Sequence, residues 1–319
     1  MKQNSTWYGM GIFFFLLWMG GGRGLYAQDV LPLLSHPMEP LRIPLQPEQL
    51  WGGRRLIPVS DSMPASFRHT AENVIADEHH SLFAFFQKLY EKQGPVRIVH
   101  IGDSHVRGHL YPYVVRQELE QDFGAEAVYP EEVSYRTSGL ARETGQSGLV
   151  YHILGVNGAT TVTFCTEQKI REVSSLKPDL IILSFGTNEA HSRRYLAPAH
   201  RQQVDDLVSR LQRACPQASF LLTTPPGAYV GRRRSRTINP RTVTAARMIR
   251  EYAADKRLAV WDLYSIVGGK ANAVPNWSRS RLLRADGIHF TPEGYRLQGN
   301  LLHQAFIKAY NEYVATGLD

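Results

Sequence analysis

The feature of this chain that most narrows its fold is a regular alternation, from residue 81 onward, of helix-period stretches with short β-branched apolar runs. Leu82, Phe85, Phe86 and Leu89 recur at helical spacing across 81–92, and Pro95 then introduces the Val- and Ile-rich run 96–101. Further strands are expected at 150–156, 180–185, 219–224 and 258–262, and further helices at 111–122, 167–175, 199–214, 240–256 and 292–314. The run 180–185 is apolar almost throughout, as a parallel strand covered on both faces requires. Strands separated by helices of this length build right-handed βαβ units, so the expected class is α/β. The architecture would be a doubly wound three-layer α/β/α sandwich with about five parallel strands.

The residues before this alternation read differently. Lys2 precedes the apolar run 12–19, and Gly20–Gly22 and Leu25-Tyr26-Ala27 lead into polar Gln28-Asp29. A charged start, a short apolar core and a small-residue exit describe a secretory signal, and that core is shorter than the roughly 20 residues a spanning helix needs. Residues 1–27 are therefore expected to be a signal peptide, leaving no stable membrane span after processing. Seven prolines between 32 and 64 then exclude regular helix, because each lacks a donor and restricts its predecessor. Residues 28–80 are read as an extended Pro-rich arm and 81–319 as one α/β domain.

Composition sets limits on partners. With 43% hydrophobic and 20% charged residues, the chain is globular rather than disordered. A net charge of +7 suits an anionic surface or polymer but is too small to mark a nucleic-acid binder, and none is expected. In an exported protein the two cysteines, Cys165 and Cys215, are able to form one disulfide if the fold brings them together; two separate thiols fit the sequence equally well.

In an open parallel sheet, ligands bind beyond the carboxyl ends of the strands. Those positions carry Gly102-Asp103-Ser104-His105, Asn157-Gly158-Ala159-Thr160 and Gly186-Thr187-Asn188-Glu189, and Asp286-Gly287-Ile288-His289 precedes the last helix. A serine hydroxyl needs a base to take its proton as it attacks, a task for an imidazole. In Asp286-x-x-His289 the carboxylate is able to reach the far ring nitrogen across one turn and fix the tautomer. The N–H groups of Ser104 and Gly158 and the Asn188 carboxamide supply three donors for an oxyanion, and glycine at 158 permits a tight turn. Ser104 alone also fits a helix N-cap and Asn188 alone an ordinary turn; their company favours catalysis.

These four blocks, in this order over 102–289, resemble those of the SGNH hydrolases of the GDSL esterase/lipase superfamily. The resemblance implies an SGNH, flavodoxin-like sandwich, with Ser104 as nucleophile, His289 as base, Asp286 as its orienter, and Ser104, Gly158 and Asn188 as oxyanion donors. It implies a carboxylic ester hydrolase without cofactor. His105 stands where the family name has Leu, and Gly-Asp-Ser-His is similar to bacterial envelope carbohydrate esterases, including peptidoglycan O-acetylesterases. Only 53 residues separate Ser104 from Gly158, so any inserted glycan-binding domain would be very small.

The expected activity is thus an exported serine esterase, periplasmic, envelope-associated or secreted, that hydrolyses short acyl esters, above all O-acetyl, on a glycan. A lipase or O-acyltransferase on the same triad and a non-catalytic glycan-binding protein are the alternatives. His105, Trp277 in the polar loop before Asp286, and Arg232 in the run Arg232–Arg236 are expected at the substrate. His100, His105 and His109 lack an accompanying acidic ligand, so no metal is expected. Neither the polymer nor the oligomeric state is specified by the sequence.

Overall fold

The computed structural model describes residues 49–51, 54–108, 110–130, 139–231 and 235–316, all in one unit, Pro47–Asp319. The expected signal peptide, the arm through residue 48, His109 and Arg232 lie outside the described residues. In chain order the strands are β1 (Gln49–Trp51), β2 (Arg54–Leu56), β3 (Ile75–Ala76), β4 (Pro95–Gly102), β5 (Gly148–Gly155), β6 (Leu180–Ser184), β7 (Ser219–Thr223), β8 (Tyr229–Val230), β9 (Thr237–Ile238) and β10 (Ala259–Trp261). The helices are α1 (Phe83–Glu91), α2 (Ser104–Arg107), α3 (Leu110–Phe123), α4 (Thr161–Phe164), α5 (Glu167–Ser175), α6 (Thr187–His191), α7 (Ala197–Ala214), α8 (Pro240–Asp255), α9 (Leu263–Ile266), α10 (Gly269–Arg279) and α11 (Pro292–Thr316).

Six strands form the central sheet in the order β3-β10-β7-β6-β4-β5. Five of them run parallel, as the alternation requires; β3 pairs antiparallel at the edge, with Ala76 opposite Val260. The sheet is buried on both faces, and successive residues divide between two cores with the period of two that a pleated strand imposes. Ile98, Ile182 and Leu221 face a core completed by Phe86, Leu119, Leu302 and Phe306 from α1, α3 and α11. Val99, Ile181 and Leu222 face the other, completed by Phe164, Leu207, Leu211 and Ile249 from α4, α7 and α8. Among the described residues no helix is long and apolar enough to cross a membrane.

The stretch before Asp286 departs from the sequence reading. It holds α9 and α10, and α10 runs through Pro275 from a start at Gly268 and Gly269, both with positive φ. Cys165 is half-buried, Cys215 is buried, and both thiols are free.

Two glycines let the segment after β4 fold tightly against its neighbour. Gly102 and Gly155 end adjacent strands in register, and α2 lies against the end of β5. A Cβ at residue 155 would stand 2.1 Å from the Arg107 backbone nitrogen and 2.4 Å from its Cα. Backbone cannot yield as a flexible side chain does, so Gly155→Ala must displace α2 and Ser104 with it. Overpacking of this kind is expected to cost about 3 kcal/mol in a denaturant titration. A loss under about 0.5 kcal/mol would mean that α2 shifts freely.

Candidate active site

Strands β5, β4 and β6 are neighbours, with Gly102 opposite both Gly155 and Ser184. The segments leaving their carboxyl ends therefore emerge side by side, and each carries one block. Asp103 caps α2 by accepting the His105 N–H at 2.9 Å, which turns the chain sharply after β4 and leaves Ser104 in the first turn of the helix. Gly158 has φ +72° and open space where a Cβ would stand, so the turn after β5 adopts a left-handed conformation that glycine takes without strain. Asn188 donates from Nδ2 to the Ala159 carbonyl at 2.9 Å, with Asp103 Oδ2 at 3.4 Å, and so binds the third segment to the other two.

The fourth block reaches the same place from the far end of the chain. Ser104 Oγ and His289 Nε2 lie 2.9 Å apart, and His289 Nδ1 lies 2.8 Å from Asp286 Oδ2. Gly287, with φ +76°, allows the turn that folds Asp286 back onto its own segment. The other carboxylate oxygen of Asp286 accepts the N–H groups of Ile288 and His289 at 2.8 and 2.9 Å. Partial burial works to raise the Asp286 pKa, but the bond to His289 and the two backbone donors outweigh it and hold the group well below the usual carboxylate range. The imidazole thus has a fixed anion on one nitrogen and a hydroxyl on the other.

Two buried acids lie beneath this surface. Asp103 is 1% exposed, and burial pushes its pKa up to about 7 against the pull of the His105 N–H. Glu189 accepts the Gly186 N–H at 3.0 Å with one oxygen and the Thr161 N–H at 2.9 Å with the other. It thereby clamps the segment bearing Gly158 to the segment bearing Asn188. Nothing local distinguishes Glu189 in the sequence, since its partner Thr161 is 28 residues away. Its place directly after Asn188 in a strand-end block was the available signal.

Of the residues expected at the substrate, His105 is buried beside the site. Its Nδ1 lies 3.0 Å from the Tyr295 hydroxyl, its ring centroid 5.5 Å from that of His289, and burial lowers its pKa to about 3. Trp277 corrects the sequence reading. It sits in α10 with no exposed surface, packs against Phe67 and Phe290, and donates from Nε1 to the Pro226 carbonyl. An indole with both faces covered has none to offer a sugar. Arg232 lies outside the described residues, but its neighbour Arg236 stacks over Tyr229 at 4.4 Å and donates to the Ala285 carbonyl, beside Asp286. His100 is turned into the sheet, between the Tyr151 hydroxyl at 2.8 Å and Ser184 Oγ at 2.7 Å. Among the described residues no group of three or more metal-ligating side chains is assembled.

Chemically, a hydroxyl on an imidazole, an imidazole on a carboxylate and backbone and amide donors nearby are the groups that acyl transfer requires. Comparison with known proteins agrees. Residues 101–297 match the GDSL-like Lipase/Acylhydrolase family. A solved peptidoglycan O-acetylesterase shares the fold at TM-score 0.64 and 18% identity, over 75% of this chain and 99% of that one. An acetyl xylan esterase aligns at TM-score 0.48 and 17% identity over 65% of this chain and 98% of its own. A GDSL-like lipase from Bacteroides thetaiotaomicron aligns at 0.45 and 20%, over 71% and 99%. No curated protein sequence matches the chain. With more than half its length matched to one family and the four blocks drawn to one end of the sheet, the chain is a carboxylic ester hydrolase of the GDSL-like lipase/acylhydrolase family.

Proposed function

We propose that this hydrolase is an exported serine esterase that removes short acyl groups, chiefly O-acetyl, from a glycan through an acyl-enzyme on Ser104. The observation that carries the reading is the hydrogen-bonded series Ser104 Oγ, His289 Nε2, His289 Nδ1 and Asp286 Oδ2. Ser104 Oγ attacks the ester carbonyl while its proton passes to His289 Nε2, and the Nδ1–H stays on Asp286, which stabilises the imidazolium. The carbonyl oxygen, now an anion, is received by the N–H groups of Ser104 and Gly158 and by Asn188 Nδ2. As the tetrahedral adduct collapses, His289 returns the proton to the sugar oxygen, which leaves as an alcohol. Water then attacks the acyl-serine by the same route, with His289 as base, and releases the acid.

Glu189 is a positioning residue in this scheme, since it holds the two segments that bear Gly158 and Asn188 in register. Export is supported by the leader-like residues 1–27. The glycan reading is supported by Gly102-Asp103-Ser104-His105 and by a peptidoglycan O-acetylesterase standing among the proteins that share the fold.

A fluorophosphonate probe tests the mechanism, because it phosphonylates only an activated serine. One adduct per chain, mapped to Ser104 by peptide mass analysis, is expected, together with acetate release from O-acetylated glycan. An adduct confined to another residue, or no adduct on protein with a cooperative thermal melt, would refute the Ser104 assignment.

A further inference from the structure

We propose that the active-site face docks an anionic polysaccharide, so that the ester removed sits on an acidic glycan; this rests on the esterase reading above. The carboxyl-end segments around His289 are interlocked. His191 Nε2 lies 3.2 Å from the Tyr229 carbonyl, the Tyr229 N–H donates to Gly287, and Arg236 donates to Ala285. The segment 190–196, the paired strands β8 and β9 with Arg236, and the Asp286–His289 turn are thus joined into one rim.

That rim is cationic and uncompensated. Arg193 and Arg194 are exposed and have no acidic partner among the described residues. Arg236 and Arg241 donate to the carbonyls of Ala285 and Ala190, which satisfies hydrogen bonds without cancelling charge. Residues 190–196, 224–231 and 235–241 contain no Asp or Glu. The acids at this end are committed elsewhere: Asp286 to His289, Asp262 to Arg250, and Asp103 and Glu189 in the interior. Elsewhere on the surface several cations are paired. Lys88 pairs with Asp179, Arg97 with Glu143, Lys256 with Asp205 and Arg201 with Asp255.

Unpaired guanidinium groups around a site raise the local concentration of anionic substrate and match carboxylates geometrically. A polysaccharide is favoured over nucleic acid because the reaction consumes an acyl ester, which a sugar hydroxyl carries and a nucleic-acid backbone does not.

The test compares O-acetylated polygalacturonate, an anionic polymer, with O-acetylated xylan of equal acetyl content, and uses a small neutral acetyl ester as reference. At low ionic strength kcat/KM should favour the anionic polymer by about tenfold, and salt should erase the preference. The pair Arg193→Glu and Arg194→Glu should lower the ratio of anionic-polymer rate to small-ester rate by about tenfold, and the Gln pair by less. Affinity electrophoresis in gels containing unacetylated polygalacturonate reads docking without hydrolysis. Retardation that salt and the Glu pair abolish supports the surface even if the esterase reading fails. Equal rates on the two polymers with no retardation would overturn it while leaving small-ester hydrolysis, and so the mechanism, intact. Greater activation by anionic lipid vesicles than by polygalacturonate would also overturn it.

Discussion

Replacing Ser104 by alanine is expected to lower kcat/KM on an acetyl-ester probe by about 10⁴-fold or more, with a thermal melt near that of the wild type. The size follows from what the hydroxyl does. In the proposed mechanism it is the atom that bonds to the acyl carbon, so without it the two-step route closes, and only water positioned by the donors remains. A factor of 10⁴ corresponds to about 5.5 kcal/mol of barrier. Because Ser104 and His289 act as one unit, removing both should cost little more than removing Ser104 alone. Small structural cost is expected because Ser104 Oγ has its hydrogen bond to His289 Nε2 in a part-exposed position. A Ser104→Ala protein that keeps more than about a tenth of wild-type activity would sink the acyl-enzyme mechanism.

Most of the fold is legible in the chain because its core strands are apolar on both faces and helices such as α1, α5 and α7 are amphipathic. The run 180–185 resolves as β6, and the helical spacing of 81–92 resolves as α1. The edge strand β3 was not readable: two paired residues leave no periodicity, and its partner Trp261 is far along the chain. Nor was α10, since Pro275 argues locally for a break. The burial of Ala273, Val274, Asn276 and Trp277, with Asn276 bonded to the Val267 and Arg68 carbonyls, holds the helix together despite that proline. That is also why Trp277 was misplaced at the substrate.

The candidate site was legible for a related reason. Strand ends can be read from the apolar runs, and Ser104, Gly158 and Asn188 follow them directly. Supporting contacts are another matter. The Glu189 carboxylate, the Tyr295 hydroxyl beside His105 and the Arg236 contact to Ala285 all join segments distant in sequence. Such pairings depend on which strands become neighbours, and spacing along one chain carries no record of that.

Acid is expected to destabilise this protein steeply, through groups other than the triad. His100, His105 and His152 are each at most 5% exposed. Burial lowers the first two to about 3 and His152 to about 4. An unfolded chain takes up protons on these imidazoles below about 6.5, and the fold refuses them. Their stabilising contribution is therefore complete above about 6.5 and drains away as the pH falls through that value toward 3. Asp103 opposes the trend: raised to about 7, it keeps in the fold a proton that the unfolded chain releases above about 4, so it adds stability as the pH falls between those values. At pH 5 each imidazole has lost about 2 kcal/mol and Asp103 has returned about 2, a net loss of about 4 kcal/mol relative to neutral pH. That is a large share of the 5–15 kcal/mol typical of a folded domain, and it should lower the thermal midpoint by about 10 °C or more between pH 7 and pH 5. Melts followed by circular dichroism across this range check it. A midpoint that stays level or rises on acidification would mean that these imidazoles accept protons in the folded state.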